Sequence, residues 1–467
     1  MAEKVFDVVF LGGGPAGYQG AIRAAQLGCR AAVVEAGHLG GVCLNRGCIP
    51  TKAIRASVEL FSRARRARNW GIKAEGVQAD LPAIMERKDK VVGMLRNGIA
   101  QLFRGNGVSL FEGRGRLLSP QEIEVDSQGE KIRLKAQRVV IATGSRPAFP
   151  PPFAAGMPGI MTTDDILQIR ELPASLLIVG GGVIGVEMAS ILAELGSSVT
   201  VAEMRPRLLP AEDGEVVDNL TRWLKRQKVK VITGTAAVEV QHGDDGKMRV
   251  LFASGQVWEG QAVLIAAGRA PNVEEIGLEE AGFKEISGPL RVNERMETEV
   301  PGIYAAGDVA GGWLLAHVAF MEGIVAAENA AGKESRMDYR VVPRCIFSFP
   351  EYGAVGLSEE EAKARFPVRT VTFPFRSLGM AQALGEWEGM VKLITHEETG
   401  EILGGHILGP HAGDLIAEVA LAMRQGIPAR GIMETIHIHP TLSEAVLEAA
   451  QAVYGQAIHI LPSGSGG

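Results

Sequence analysis

Cysteine is scarce: four in 467 residues, Cys29, Cys43, Cys48 and Cys345. That is too few for a secreted scaffold stapled by disulfides. Aromatic residues are sparse as well, with five Trp and five Tyr, which leaves little material for a base-stacking surface. A formal net charge of −6 exerts no general pull on nucleic acid or an anionic membrane. No stretch reaches about 18 apolar residues without a charge, which argues against a membrane span. The opening MAEKVFDVVFLGGG lacks the basic segment and apolar core of a secretory signal. These absences predict a cytoplasmic protein that binds neither nucleic acid nor membrane, although an organellar protein stripped of its leader would read the same.

What remains is an ordinary globular composition, 46% hydrophobic and 22% charged, sufficient for a large core. At about 150 residues per domain the length suggests roughly three domains. Two of the four cysteines fall close together, in GGVCLNRGC. A bridge across so short a loop would restrict the unfolded chain by only about 2 kcal/mol. A structural staple would close a longer loop, so Cys43 and Cys48 read better as a redox pair.

The chain also echoes itself. Val5 to Glu35 and Ser175 to Glu203 each run from a β-branched strand through GGGxxG into an Ala-rich helix, then a second strand ending in Glu. From the last glycine to the acid the spacing is 35 − 17 = 18 in one copy and 203 − 185 = 18 in the other. Matched copies predict two doubly wound nucleotide-binding units. Gly12 and Gly180 would make the tight turn, Gly14 and Gly182 would let a pyrophosphate approach, and Gly17 and Gly185 would allow close helix packing. Glu35 and Glu203 can each accept a bond from a ribose 2′-hydroxyl and would repel a 2′-phosphate. Arg205 and Arg207 follow Glu203, so this points to NAD without excluding NADP. Pro150, Pro151 and Pro152 mark a boundary, and the terminal PSGSGG reads as a flexible tail.

Pro50 is favoured at the first position of a helix, which places Cys48 just ahead of the N-terminus, where the dipole and unpaired amides stabilise a thiolate. Lys52 then falls in the first turn, against the dipole, and asks for a carboxylate, a cofactor ring or solvent. Glu187, read as first-turn in the second nucleotide helix, is the expected partner; as an acid there it could equally serve the dipole. Asp308, after an apolar strand in YAAGDV, suits a polyol chain or a helix N-cap. Thr441 and Glu444 fit a capping box, which accounts for neither His437 nor His439. His439 is placed to be a base held by a carboxylate. A structural histidine or half a metal site are the alternatives, and no ligand set completes a metal site.

GGVCLNRGCIPTKA resembles GGTCLNxGCIPSKA of the dihydrolipoamide dehydrogenases, a branch of the flavin-dependent pyridine-nucleotide disulfide oxidoreductases that include glutathione and mercuric reductases; Val42 and Thr51 are departures. ATGSRP, GGGVIGVE, GRxPN, YAAGDV and HPTLSE follow in the family's order, and the resemblance covers nearly the whole chain. LAHVAFMEG, where the family often has LAHKAEEEG, replaces polar residues near the expected flavin.

The resemblance implies an α/β fold, two Rossmann-like (doubly wound) domains plus a C-terminal α+β dimerisation domain, divided as 1–150 (FAD), 151–272 (NAD), 273–343 (central) and 344–467 (interface). FAD would lie on Gly12, Gly14, Gly17 and Glu35, with Lys52, Thr143, Gly144, Asp308 and His317. NAD would lie on Gly180, Gly182, Gly185, Glu203 and Gly268. Catalysis would use Cys43, Cys48, Lys52 and Glu187, with His439 and Glu444 reaching the cysteines of the other subunit of a homodimer. The implied reaction oxidises protein-bound dihydrolipoamide with NAD⁺, in company with a lipoyl domain and the acyltransferase core of a 2-oxo acid dehydrogenase complex. A glutathione-type reductase and a non-catalytic assembly subunit are the alternatives.

Overall fold

Residues 4–243, 246–284 and 286–461 are described in the computed structural model, and the terminal PSGSGG lies outside them. The run KVFDVVFL has no glycine or proline to interrupt it and forms β1 (Lys4–Leu11). α1 (Pro15–Gln26) follows, with proline in the first turn, where an amide would have no partner anyway. β2 (Ala31–Glu35) then returns parallel to β1. The sheet runs in the order Ser109–Glu112, β2, β1, Glu130–Ile141, Glu122–Ser127, Arg114–Ser119. A late strand, Ile303–Ala305, joins in parallel beside Glu130–Ile141. Alternate residues serve opposite faces: Val8, Phe10, Val33 and Val140 enter one apolar cluster, and Val9, Leu11, Val34 and Ile141 the other. A strand buried on both sides needs apolar residues at every position, which is why these runs do not alternate.

Between β2 and Ser109–Glu112 lie α2 (Gly41–Arg46), α3 (Cys48–Arg65) and α4 (Leu81–Asn106). The Asp80 side chain accepts from the Ala83 amide at 3.0 Å and caps α4. These segments belong to one compact unit, Met1–Phe149 with Met161–Glu171 and Gly268–Asp338.

The other unit comprises Pro150–Ile160, Leu172–Ala267 and Tyr339–Gly467. It repeats the first pattern: strand Ser175–Val179, helix Val183–Leu195 and strand Ser198–Glu203, in a parallel sheet ordered Lys230–Thr233, Ser198–Glu203, Ser175–Val179, Ala262–Ile265. Its C-terminal part is an antiparallel sheet ordered Arg344–Ile346, Glu351–Gly356, Ile402–Gly409, Met390–His396, Val368–Pro374. Helices Ala412–Gln425 and Glu444–Val453 cover it, with Val391, Leu393, Ile407, Val419, Val446 and Ala449 in one apolar cluster. The fold is therefore α/β, with two doubly wound portions and an α+β C-terminal portion. Among the described residues no helix is long and apolar enough to cross a membrane.

Candidate redox active site

The two glycine turns are built alike. Gly12 and Gly180 have φ of +109° and +110°, and a Cβ on either would stand 2.3 Å from the carbonyl of Ala142 or Ala266. Gly17 and Gly185 press on the turn itself, where a Cβ would lie 1.8 Å and 1.9 Å from the carbonyls of Gly12 and Gly180. Gly14 and Gly182 are the N-caps, and neither supplies a side chain to the helix amides, which leaves those donors to an anionic ligand. The acids close each loop. Glu35 accepts from the amides of Gly13 at 2.6 Å and Gly37 at 2.7 Å; Glu203 accepts from Gly181 at 2.7 Å and Arg205 at 2.8 Å. Each carboxylate is thus oriented at its strand end with lone pairs remaining for a ribose.

The cysteine loop is tied to the first of these turns. The amide of Gly40 donates to the Gly13 carbonyl at 2.8 Å. The Asn45 side chain, between the two cysteines, donates to the carbonyls of Leu39 at 3.0 Å and Gly41 at 2.8 Å, and its oxygen accepts from Arg96 at 2.8 Å. No sequence motif marks Arg96, and the one signal for Asn45 is an amide-bearing residue inside CLNRGC. Cys43 and Cys48 are half-buried thiols. The Cys43 thiol is pushed up by its hydrogen bond with the Cys48 side chain and by burial, while Lys52 and the Cys48 amide favour its ionised form.

Three expected positions shift. Cys48 is the first residue of α3 and Pro50 the third, not the first; all first-turn amides lack helical partners, so proline is tolerated throughout that turn. Lys52 consequently lies beyond the first turn. Glu187 is the fifth residue of its helix, which has no acid in its first turn, so it is not an acid placed for the dipole. Its carboxylate instead accepts from the Phe347 amide at 2.9 Å and is buried.

Around Asp308 the chain converges. Asp308 opens a short 3₁₀ turn, and the helix Ala316–Ala330, which carries His317, has Leu315 as its N-cap. The helix-cap alternative for Asp308 is therefore excluded. Its carboxylate accepts from Ser145 and lies 3.7 Å from the Arg269 guanidinium. Gly144 and Gly268 both have positive φ, +71° and +128°. Thr143 donates to the Asn272 carbonyl at 2.7 Å.

In the other unit, His439 pairs through Nδ1 with Glu444 at 2.8 Å, and its side chain is 77% exposed. Burial pushes the Glu444 carboxyl up, but the Thr441 amide and His439 outweigh it and hold the group below the ordinary range. Only half of the expected capping box forms. Glu444 accepts from the Thr441 amide at 2.9 Å, but the helix begins at Glu444 after Ser443, and the Thr441 hydroxyl donates to Ile438 instead. His437 is the structural one of the two: its side chain is 5% exposed and bonded to Glu418 and the Thr435 carbonyl, each at 2.9 Å. Among the described residues no cluster of His, Cys, Asp and Glu could hold a metal ion.

Residues 6–323 match the pyridine nucleotide-disulphide oxidoreductase family, and residues 342–450 match its dimerisation domain. The chain belongs to this family. Similar relatives include dihydrolipoyl dehydrogenases of Thermus scotoductus, 44% identical over 98% of this chain and 99% of that protein, and of Bacillus subtilis, 42% identical over 97% and 99%. Among solved structures, LpdA from Mycobacterium tuberculosis is 30% identical with a TM-score of 0.89, covering 96% of this chain and 99% of that one. The HOCl-induced flavoprotein disulfide reductase RclA from Escherichia coli is 28% identical with a TM-score of 0.86, covering 95% and 99%. In this family context the paired glycine turns and paired cysteines are the parts a pyridine-nucleotide disulfide oxidoreductase needs.

Proposed function

We propose that the protein is a dihydrolipoamide dehydrogenase, oxidising protein-bound dihydrolipoamide with NAD⁺ as part of a 2-oxo acid dehydrogenase complex in the cytoplasm. The observation that carries the reading is the Cys43–Cys48 pair, one cysteine in α2 and the other opening α3, in a segment that Gly40 hydrogen-bonds to a dinucleotide-type glycine turn. Relatives named dihydrolipoyl dehydrogenase, 41–44% identical over nearly the full chain, support the substrate.

The residues fit FAD on the first fold and NAD on the second. Uncapped helix amides above Gly14 and Gly182 suit pyrophosphates, Glu35 and Glu203 suit ribose hydroxyls, and Asp308 suits a polyol chain. Thr143, Gly144, Lys52 and His317 complete the first set, and Gly268 the second. When bound, FAD accepts the dithiol's electrons and NAD⁺ carries them off as hydride. The chain divides as 1–150, 151–272, 273–343 and 344–467 into FAD, NAD, central and interface domains.

In the mechanism His439, steadied by Glu444, takes a proton from one substrate thiol. The substrate thiolate attacks the Cys43 sulfur of the Cys43–Cys48 disulfide, forming a mixed disulfide and expelling Cys48 as thiolate. The second substrate thiol then displaces Cys43, closing the lipoyl disulfide and leaving both cysteines reduced. Proximity to the α3 N-terminus and Lys52 favours the thiolate, and Glu187 is the lysine's proposed counter-charge. A homodimer places each His439 with the partner's cysteines. The dimerisation-domain match supports this, as do Ile436 and Ile438 beside His439, 96% and 77% exposed, since apolar residues so placed mark an interface. Lipoyl domain and acyltransferase core are the external partners.

Turnover of dihydrolipoamide and of glutathione, each with NAD and NADP, tests the reading. Dihydrolipoamide with NAD⁺ should be fastest; faster glutathione reduction with NADPH would transfer the assignment to a glutathione-type reductase, and a colourless inert protein to an assembly subunit.

A further inference from the structure

We infer that Glu360, from the C-terminal part of the chain, makes the second nucleotide fold selective for NAD by holding Arg207 away from the ribose that Glu203 receives. This rests on the assignment of that fold to a nicotinamide dinucleotide. The loop after strand Ser198–Glu203 is fastened at both ends: the Arg205 amide donates to Glu203 at 2.8 Å, and the Leu209 amide to the Gly181 carbonyl at 2.8 Å. Arg207 lies between these anchors. A guanidinium there is the group that would neutralise a 2′-phosphate. Its Nη1 and Nη2 instead donate to the two Glu360 oxygens at 2.9 Å and 3.1 Å, and Nη2 also reaches the Glu212 carbonyl at 3.4 Å.

An exposed ion pair between two mobile side chains contributes little, but Glu360 is not on a mobile segment. Ser358 and Glu361 form a reciprocal cap at the start of the helix Glu359–Lys363. The Glu359 carboxylate bonds the buried Lys392 ammonium at 2.6 Å, and its amide donates to Asp213 at 3.0 Å. Glu360 is thus fixed between two anchored neighbours. Gly214 completes the seat, since a Cβ there would lie 2.5 Å from Arg207 Nη1. Pre-organisation on both sides lowers the entropy lost in the pair and gives it fork-on-fork geometry. Arg205, whose side chain is exposed, is untouched by this clamp and stays constant in the test.

The test is titration of the flavin-loaded protein with NADP⁺ and with NAD⁺, reading the ratio of dissociation constants. Glu360→Gln should tighten NADP⁺ about three- to fivefold relative to NAD⁺. Adding Arg207→Gln should abolish the gain, because a released guanidinium, rather than a lost negative charge, is responsible. An unchanged ratio in Glu360→Gln, or a gain that survives in the double variant, overturns the inference. Should Glu360→Gln fold poorly, Glu360→Asp shortens the arm and reads the same ratio. Because the readout is binding, a protein that bound both nucleotides yet ignored dihydrolipoamide would sink the activity assignment and leave this test intact.

Discussion

His406 and His439 share a compact unit and receive opposite treatment. His406 is fully buried between the Tyr352 hydroxyl and the Leu357 carbonyl, each at 2.9 Å. Burial pushes its pKa down to about 4, although the Asp213 carboxylate pulls the other way. His439 keeps its carboxylate partner while leaving most of its ring in solvent. A neighbouring acid therefore does not by itself make a histidine a base. At His406 the two effects compete in the interior, and desolvation outweighs the single carboxylate.

Lys392 marks the other limit of the same comparison. It too is buried, and burial would push it down, but Glu359, Glu215 and Asp213 hold it above its ordinary range. Three carboxylates at 2.6–2.9 Å achieve what one at longer range cannot for His406.

The contrast can be broken at its exposed end. His439→Gln should cut dihydrolipoamide oxidation about 10²–10⁴-fold while flavin bleaching by NADH proceeds as before; equal losses in both half-reactions would remove His439 as the base. Next in size, Lys392→Met strands buried Asp213 without its cation, and urea unfolding should show a loss of about 3–5 kcal/mol. A loss under 1 kcal/mol would mean that solvent already shields the cluster. The third test is pH. His406 has a folded pKa near 4 against about 6.5 unfolded, so within that window the unfolded chain holds a proton that the folded one refuses. Its contribution is fully present above pH 6.5 and is lost as pH falls toward 4, by up to about 3 kcal/mol. Unfolding free energies at pH 7 and 4.5 should show the drop, and His406→Gln should flatten it.

The exposed end of the comparison was legible in the sequence and the buried end was not. Glycine turns, the cysteine pair and the His439–Glu444 pairing each lie within about 30 residues, so spacing alone brings their parts together. Lys392 sits in VKLITH on a strand, and its partner Asp213 is 179 residues away; no local period announces such a pair. His406 hides likewise in ILGGHILG, 54 residues from Tyr352. Helix starts differ by two residues at Cys48 and Glu444 because first-turn positions share a common lack of backbone partners, so proline or an acid fits several of them.

The run Glu359–Glu360–Glu361 holds three identical side chains with three unrelated duties: one meets Lys392, one meets Arg207, and one folds back on Ser358. Such a run looks like redundant surface acid, the kind of place where a protein engineer would trim charge freely. Trimming here would expose three distinct phenotypes from adjacent codons: a weakened interior, an altered cofactor preference, and a frayed helix start.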